Sequence, residues 1–427
     1  MPGREICSED LEALTEGRVL TRGLGRSYGD ASLPPPGCLE VAGSRMADRL
    51  LAFDPQTGVT RAEAGLTLRE LIRIFLPRGW FPPVTPGTAY VTLGGMVAAD
   101  VHGKNHHRDG CFGEHVRAIR LRVADGGIIE CSRQLEPELF RATLGGMGLT
   151  GHILEVEFAL HRVSSPWMIC ETERVPDIDR FVAALRQAAP AWPFTMGWVD
   201  CFSRGAALGR GILYRGRWAE SAEAPAAFPR PKPRVRIPFD FPEWVLGRRS
   251  LQLFNALKYL KQRPGVRRAI AHPEDFFYPL DMILDWNRMY GRRGMTQYQC
   301  VLPDSAGPGA ARRFLEYFTS IGGACFLCVI KDCGAEGTGL LSFPRPGISL
   351  ALDLPVGRDT QALIDALNEH VLREGGRIYL AKDAFTRAEH FRAMEPRLEQ
   401  FARIRRRWDP QLRIRSAQSV RLFGDPP

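Results

Sequence analysis

No stretch of this 427-residue sequence approaches the roughly 20 consecutive apolar residues that a membrane-spanning helix needs. The start, Met1-Pro2-Gly3-Arg4-Glu5, lacks the apolar stretch of a secretory signal. The expectation is a cytoplasmic protein, soluble or peripheral at a membrane. A disulfide framework is missing too, because the ten cysteines are scattered without paired spacing, which fits reduced thiols. One Cys-x-x-Cys, Cys325 to Cys328, lies in the strand-like run Ala324 to Ile330 with Cys333 nearby. It has no second pair to complete a zinc site, so buried structural thiols are expected. His102, His106 and His107 fall within a short span, but without a carboxylate or cysteine at matching ligand spacing. No metal site is expected.

Acidic residues are scarce in one region only. Residues 210–270 hold fourteen Lys and Arg against four Asp and Glu, while the whole chain has a net charge of +9. Trp218, Phe228, Phe239, Phe241, Trp244 and Phe254 are interleaved with these cations. From Ser250, Leu253, Phe254, Leu257 and Leu260 follow helical spacing, with Lys258, Lys261 and Arg263 on or beside the other face. A basic amphipathic helix with aromatic neighbours fits an anionic membrane surface. The competing reading makes its apolar face ordinary core. A nucleic-acid binder is a further class the region fits, but no nucleic-acid partner is expected. Ala219 to Pro242 is rich in Pro and Ala, and its Pro229-Arg230-Pro231-Lys232-Pro233-Arg234 excludes an interior helix or central strand. It reads as a long mobile loop.

Elsewhere helices and strands mix. Thr67 and Glu70 form a capping box ahead of Leu68, Leu71, Ile72, Phe75 and Leu76, and Pro77 ends the helix. Leu154, Val156, Phe158 and Leu160 alternate with Glu155, Glu157 and Ala159 as a half-buried strand. Ser164-Ser165-Pro166 is a boundary candidate. Beyond it runs an internal repeat of strand, helix, Gly-Gly and strand, ending once at Lys331-Asp332 and again at Lys382-Asp383. A looser copy spans Trp167 to Asp200. Such units suggest a sheet covered by helices on one face, with Lys331 and Lys382 at matching strand ends.

Three glycine-rich segments invite a nucleotide. In Arg22-Gly23-Leu24-Gly25-Arg26-Ser27-Tyr28-Gly29-Asp30, after the short strand Val19-Leu20-Thr21, close glycines let backbone N–H groups converge on a phosphate. Pro34-Pro35-Pro36-Gly37 follows, so no Rossmann helix can form there. The segment Gly146-Met147-Gly148-Leu149-Thr150-Gly151 fits G-x-G-x-x-G. It is preceded by a helix-like stretch, Pro137 to Thr143, and followed by a strand, the reverse of the dinucleotide unit. Between them, Pro86 to His107 places small residues at Gly94, Gly95, Ala98 and Ala99 just before polar ones, room for a flat ring or phosphate near the backbone.

These segments resemble the FAD-binding domain of the vanillyl-alcohol oxidase and p-cresol methylhydroxylase superfamily. Within it, they resemble the branch acting on polyprenyl-phosphoryl ribose. The likeness rests on RGLGRSYGD (22–30), PGTAYVTLGGMVAADVHGKNHH (86–107) and GGMGLTGHILEVE (145–157). It continues through FFYPLD (276–281), QYQ (297–299), SFPRPG (342–347) and RIYLAKD (377–383). It implies an α+β protein with an FAD-binding domain, 1–163 plus a C-terminal return at 377–427, and a substrate-binding domain, 164–376.

The resemblance implies an FAD-dependent oxidoreductase that converts the C2 hydroxyl of a polyprenyl-phosphoryl ribose to the 2-keto sugar. A partner reductase using NAD(P) would complete epimerisation to the arabinose form for glycan synthesis. It implies FAD contacts at Gly23, Gly25, Arg26, Ser27, Tyr28, Gly29, Pro86, Gly87, Thr88, Val91, Gly94, Gly95, Ala98, His102, Gly103 and Asn105. Further contacts are implied at Gly148, Gly151, Ile153 and Tyr379. Lys382 and His102 take the catalytic positions, and Lys331, Tyr278, Gln297, Gln299 and Tyr28 the substrate side. Lys382 serves as base or as hydrogen-bond donor to the hydroxyl. Two departures stand out: Ala351 occupies a strand position where members carry Cys, and Arg26 stands where many members link flavin through His. Non-covalent FAD is therefore expected. The rival enzyme reading is a flavin oxidase of a soluble alditol or aldonolactone.

Overall fold

The computed structural model describes residues 3–230, 233–242, 245 and 247–427. Pro231, Lys232 and Trp244 of the basic region lie outside the described residues.

Thr67 caps the helix Leu68–Phe75 by accepting from the Glu70 N–H at 3.2 Å, and Leu68, Leu71 and Phe75 turn inward. Pro77 falls in the tight turn Leu76–Arg78 that follows. This helix, with Leu93–Ala98 and Pro137–Thr143, shares a core with an antiparallel five-stranded sheet. Its order is Leu50–Phe53, Val59–Glu63, His152–Ala159, Val116–Arg122 and Ile128–Ser132. A small parallel sheet joins Arg4–Cys7, Glu40–Gly43 and Thr21–Arg22. The strand expected at Val19 to Thr21 thus starts at Thr21.

The larger sheet has eight strands, all pairs antiparallel. They run in the order Arg267–Ala271, Met168–Val175, Gly211–Trp218, Phe194–Val199, Cys328–Cys333, Gly347–Pro355, Met295–Pro303, Arg377–Ile378. Three strand–helix–strand units build most of it, through the helices Ile178–Ala188, Ala310–Ser320 and Thr360–Arg373. Successive strand side chains alternate between faces. Ile330, Leu350, Leu352 and Leu354 therefore meet Phe181, Phe314, Phe318 and Leu367 of those helices in one core. The alternate residues, Lys331, Ser349, Ala351, Asp353, Gln297 and Gln299, fall on the opposite face. The fold is α+β, as expected.

Helices Ala388–Met394, Leu398–Trp408 and Ala417–Phe423 return to the glycine loop at 145–151. Phe391, Phe401 and Leu422 share a core with Met147, Leu149 and Tyr379, and Arg405 Nε donates to the Leu149 carbonyl at 3.1 Å.

Two expectations need correction, and the competing core reading of the helix near Ser250 is overturned. The strand near the Cys-x-x-Cys begins only at Cys328, so Cys325 precedes it; all ten cysteines are free thiols. Within 219–242 one short strand does form, Val235–Arg236, on the two-residue partner Ile283–Leu284, outside any large sheet. The helix read from Ser250 spans Arg248–Lys261, but its buried positions are Leu251, Asn255 and Tyr259. Leu253, Phe254, Leu257 and Leu260 face solvent. No helix among the described residues is long and apolar enough to cross a membrane.

Candidate active site

The glycine loops lie against one another because they lack side chains. A Cβ at Gly23 would stand 2.4 Å from Thr92 Oγ1, the hydroxyl that caps Leu93–Ala98. A Cβ at Gly29 would stand 1.8 Å from the Asp383 carbonyl, and the Tyr28 N–H donates to the Ala381 carbonyl at 3.0 Å. The third loop closes on the second, with the Met147 N–H donating to Ala98 O at 2.8 Å and Gly145 N–H to Val97 O at 3.1 Å. Gly145, Met147 and Gly148 all have positive φ, a conformation glycine adopts freely and Met147 does not. The segments 22–30, 86–107, 145–151 and 379–383 thus form one cluster.

At its edge, the Lys382 ammonium lies 3.9 Å from the centre of the Tyr28 ring. Burial lowers the Lys382 pKa, Asp353 opposes that shift and Lys331 reinforces it. Asp353 is itself buried and its pKa raised by desolvation; Gln297 donates to it and Tyr290 Oη approaches at 3.5 Å. The pairing Gln297↔Asp353 and Gln299↔Ala351 in the two neighbouring strands sets this arrangement. Lys331, also lowered by burial, acts electrostatically on Lys382, on His102 and on Lys104.

His102 sits deeper. Its ring centroid is 4.9 Å from Tyr379 and 5.3 Å from Phe343. The Gln299 amide meets its Nε2 at 3.0 Å, and its buried Nδ1 has no protein partner. Burial first, then Lys331, His106 and Lys382, hold its pKa well below the usual range, so the ring is neutral. With Gln299 donating to Nε2, the proton resides on Nδ1, which becomes a donor to whatever lies beside it. The Tyr379 hydroxyl is already engaged, donating to Ala99 O at 3.0 Å.

The other expected residues differ in exposure and in the contacts they make. Asn105 is buried and donates to the Pro83 carbonyl at 2.8 Å and to Asp109 at 2.7 Å, so it braces the loop; a Cβ at Gly103 would clash with it. Tyr278 is buried against Phe277 at 5.9 Å. Arg26 is exposed, its guanidinium 5.7 Å from the Tyr90 ring, where Arg69 and Arg234 also gather at 5.3 and 5.4 Å. Thr88 is half-buried near Asp281, which accepts from the Ala89 N–H at 2.7 Å. Gly87 and Gly95 are exposed, and Pro86, Val91, Gly94, Ala98 and Ser27 half-buried along the same rim. Gly25 has φ +60 and Gly151 packs on Leu121, beside buried Ile153.

Four residues gained no role from the sequence. Lys104 Nζ donates to the carbonyls of Phe276 and Phe277 at 2.6 and 2.8 Å, and burial pulls its pKa down to about 7. Asp100 is fully buried, accepts from the Gly113 N–H at 2.8 Å and from Ser342, and is pushed up to about 6 by desolvation. Asp353 and Tyr290 complete the set. The only local signal for Asp353 is its place near the Pro-flanked end of a repeat strand, which by itself gives it no role.

The residues present fit FAD. The glycine rim gives close backbone approach, Gly87 and Gly148 have open space where a Cβ would be, and the orphaned His102 Nδ1 offers a hydrogen bond beside an aromatic wall. The FAD binding domain family matches residues 13–132. The chain is 34% identical to decaprenylphosphoryl-beta-D-ribose oxidase of Mycolicibacterium smegmatis over 95% of this chain and 89% of that protein. It is also 34% identical to an uncharacterised protein of Streptomyces coelicolor, over 84% of this chain and all of that protein. A putative D-arabinono-1,4-lactone oxidase of Neurospora crassa is 28% identical over 35% of this chain and 26% of that protein. With that length of match and a glycine rim suited to the cofactor, the chain belongs to the FAD-dependent decaprenylphosphoryl-β-D-ribose oxidase family of oxidoreductases.

Proposed function

We propose that this enzyme oxidises the C2 hydroxyl of a polyprenyl-phosphoryl ribose to the 2-keto sugar. The observation that carries this is the cluster of half-buried Lys382, Tyr28 and Lys331 with buried Asp353, on the face of the eight-stranded sheet away from its helices and beside the neutral His102. FAD, when bound, supplies the acceptor for the hydride that leaves C2. Lys382 takes the hydroxyl proton at Nζ; burial and the Lys331 charge lower its pKa, so that more of the amine is neutral and free to accept a proton. Gln297 and Gln299 orient the sugar, and Lys331 faces its phosphate. Residues 1–163 with 377–427 bind FAD, through the three glycine loops, His102 and Tyr379, without a covalent bond. Residues 164–376 bind the substrate.

An NAD(P)-dependent keto-sugar reductase would consume the product and give the arabinose form. The enzyme works in the cytoplasm, peripherally at the membrane that holds its substrate. Anaerobic mixing with a polyprenyl-phosphoryl ribose tests the reaction. The flavin absorbance should bleach, and borohydride treatment of the recovered sugar should return both C2 epimers. Bleaching by a soluble aldonolactone instead would favour the rival substrate class.

A further inference from the structure

The helix Arg248–Lys261 has two faces of opposite fate. Leu251, Asn255 and Tyr259 point to the protein, where Tyr259 packs with Trp198 and Ile212, and Asn255 donates to Asp200 at 3.2 Å. At 3.6 residues per turn the opposite side carries Leu253, Leu257 and Leu260, with Phe254 on its flank. These are 61%, 43%, 57% and 62% exposed. Four large apolar side chains on one stripe are more than the scattered exposure normal for a soluble surface. Arg249 lies at one margin of the stripe and Lys261 between Leu257 and Phe254, and Arg248, Arg263 and Arg267 are exposed nearby in the chain.

This stripe is continuous with the site. Phe254 packs 5.0 Å from Phe326, Phe326 lies 6.2 Å from Tyr290, and Tyr290 Oη stands 3.5 Å from Asp353. Exposure falls along that line, from exposed Phe254 through half-buried Phe326 to buried Tyr290 and Asp353.

We infer that the Leu253–Phe254–Leu257–Leu260 stripe docks on an anionic lipid surface, and that the line Phe254, Phe326, Tyr290 guides an isoprenoid chain from that surface to the site. The apolar stripe enters the headgroup boundary, and the flanking cations meet lipid phosphates. The route rests on the polyprenyl-phosphoryl substrate proposed above; the docking rests on the surface alone. A second copy of the chain is a poorer occupant, because two such faces would bring their cationic margins together.

The test is flotation of the flavin-loaded protein with phosphatidylglycerol vesicles, beside Leu253→Asp/Leu257→Asp. Both positions are exposed, so the variant should keep its flavin and its melting temperature. The intact protein should float, release with salt and ignore phosphatidylcholine vesicles, while the variant stays down. For vesicle-borne long-chain substrate, the KM relative to that of a short-chain soluble analogue should rise about tenfold in the variant. Equal flotation of the two proteins, no flotation of the intact one, or a dimer of the intact protein that the variant loses would each overturn the docking. An unchanged KM ratio would overturn the route. If neither sugar phosphate bleaches the flavin, the proposed substrate and the route fall together, and flotation still decides the docking.

Discussion

The ammonium of Lys382 sits over the face of Tyr28, 3.9 Å from the ring centre. A desolvated cation against an aromatic face is held by about 2 kcal/mol, which fixes the amine next to the sheet edge, where the charge of Asp353 also acts on it. Lys382→Ala should lower the rate of flavin reduction by substrate by about 100-fold or more, while FAD stays bound. Stopped-flow reduction near the wild-type rate would remove Lys382 from the reaction. Tyr28→Leu should cost less, about tenfold, since the amine remains but loses its platform.

The same cluster sets a pH dependence with a definite sign. Lys382 must be neutral to accept a proton, and burial lowers its pKa from the ordinary lysine value. Flavin reduction should therefore rise with pH, with a midpoint below that value. Lys331 lowers the Lys382 pKa and Asp353 raises it. Lys331→Met should thus move the midpoint up, and Asp353→Asn should move it down. Lys331→Met should also raise KM for the sugar phosphate more than it lowers kcat. Shifts in the same direction for both variants would show that neither charge acts on the amine.

Much of the fold could be read along the chain, because helices and strands leave local periods. The capped Leu68–Phe75 helix, the Pro137–Thr143 helix before the third glycine loop and the alternating strand after it were all legible. That order was enough to reject a dinucleotide fingerprint that matched to the letter. Asp353 and Tyr290 were not legible, because their importance comes from strand register and from contacts between residues far apart in sequence. The Arg248–Lys261 helix shows a different limit. Its spacing marked an apolar face correctly, but periodicity alone does not say whether such a face meets core or solvent. Here a second, polar-aromatic face of Asn255 and Tyr259 makes the internal contacts instead.

Arg26 stands exposed against Tyr90, at the position where the sequence resemblance implies that many members carry a linking histidine. A guanidinium forms no bond to the flavin ring, so acid precipitation should release the yellow colour into the supernatant. Colour kept in the pellet would mean a covalent link, and a flavin peptide containing His102 would place it in the second loop.

Two glycines should separate packing from cofactor binding. At Gly29 a Cβ would lie 1.8 Å from the Asp383 carbonyl oxygen and 3.0 Å from Ala384 Cα. That backbone has little freedom to retreat. The Asp383 side chain accepts from the Thr386 N–H at 2.9 Å and from Arg421 at 2.8 Å, and Arg421 in turn holds Asp30 at 2.6 Å. Gly29→Ala must therefore push apart the first loop and the C-terminal return, an overpacking cost of about 1–3 kcal/mol. It should lower the melting temperature of the apoprotein and slow flavin reduction, because Tyr28 and Lys382 sit on the two segments being parted. Gly87 is exposed and meets nothing within 4 Å. Gly87→Ala should leave apoprotein stability within about 0.5 kcal/mol, yet weaken FAD binding, because the added methyl occupies space kept open on the cofactor rim. Calorimetry of the two apoproteins and titration with FAD measure both quantities. Equal loss of apoprotein stability in the two variants would show that Gly87 is a packing glycine, and unchanged FAD affinity in Gly87→Ala would take it off the cofactor rim.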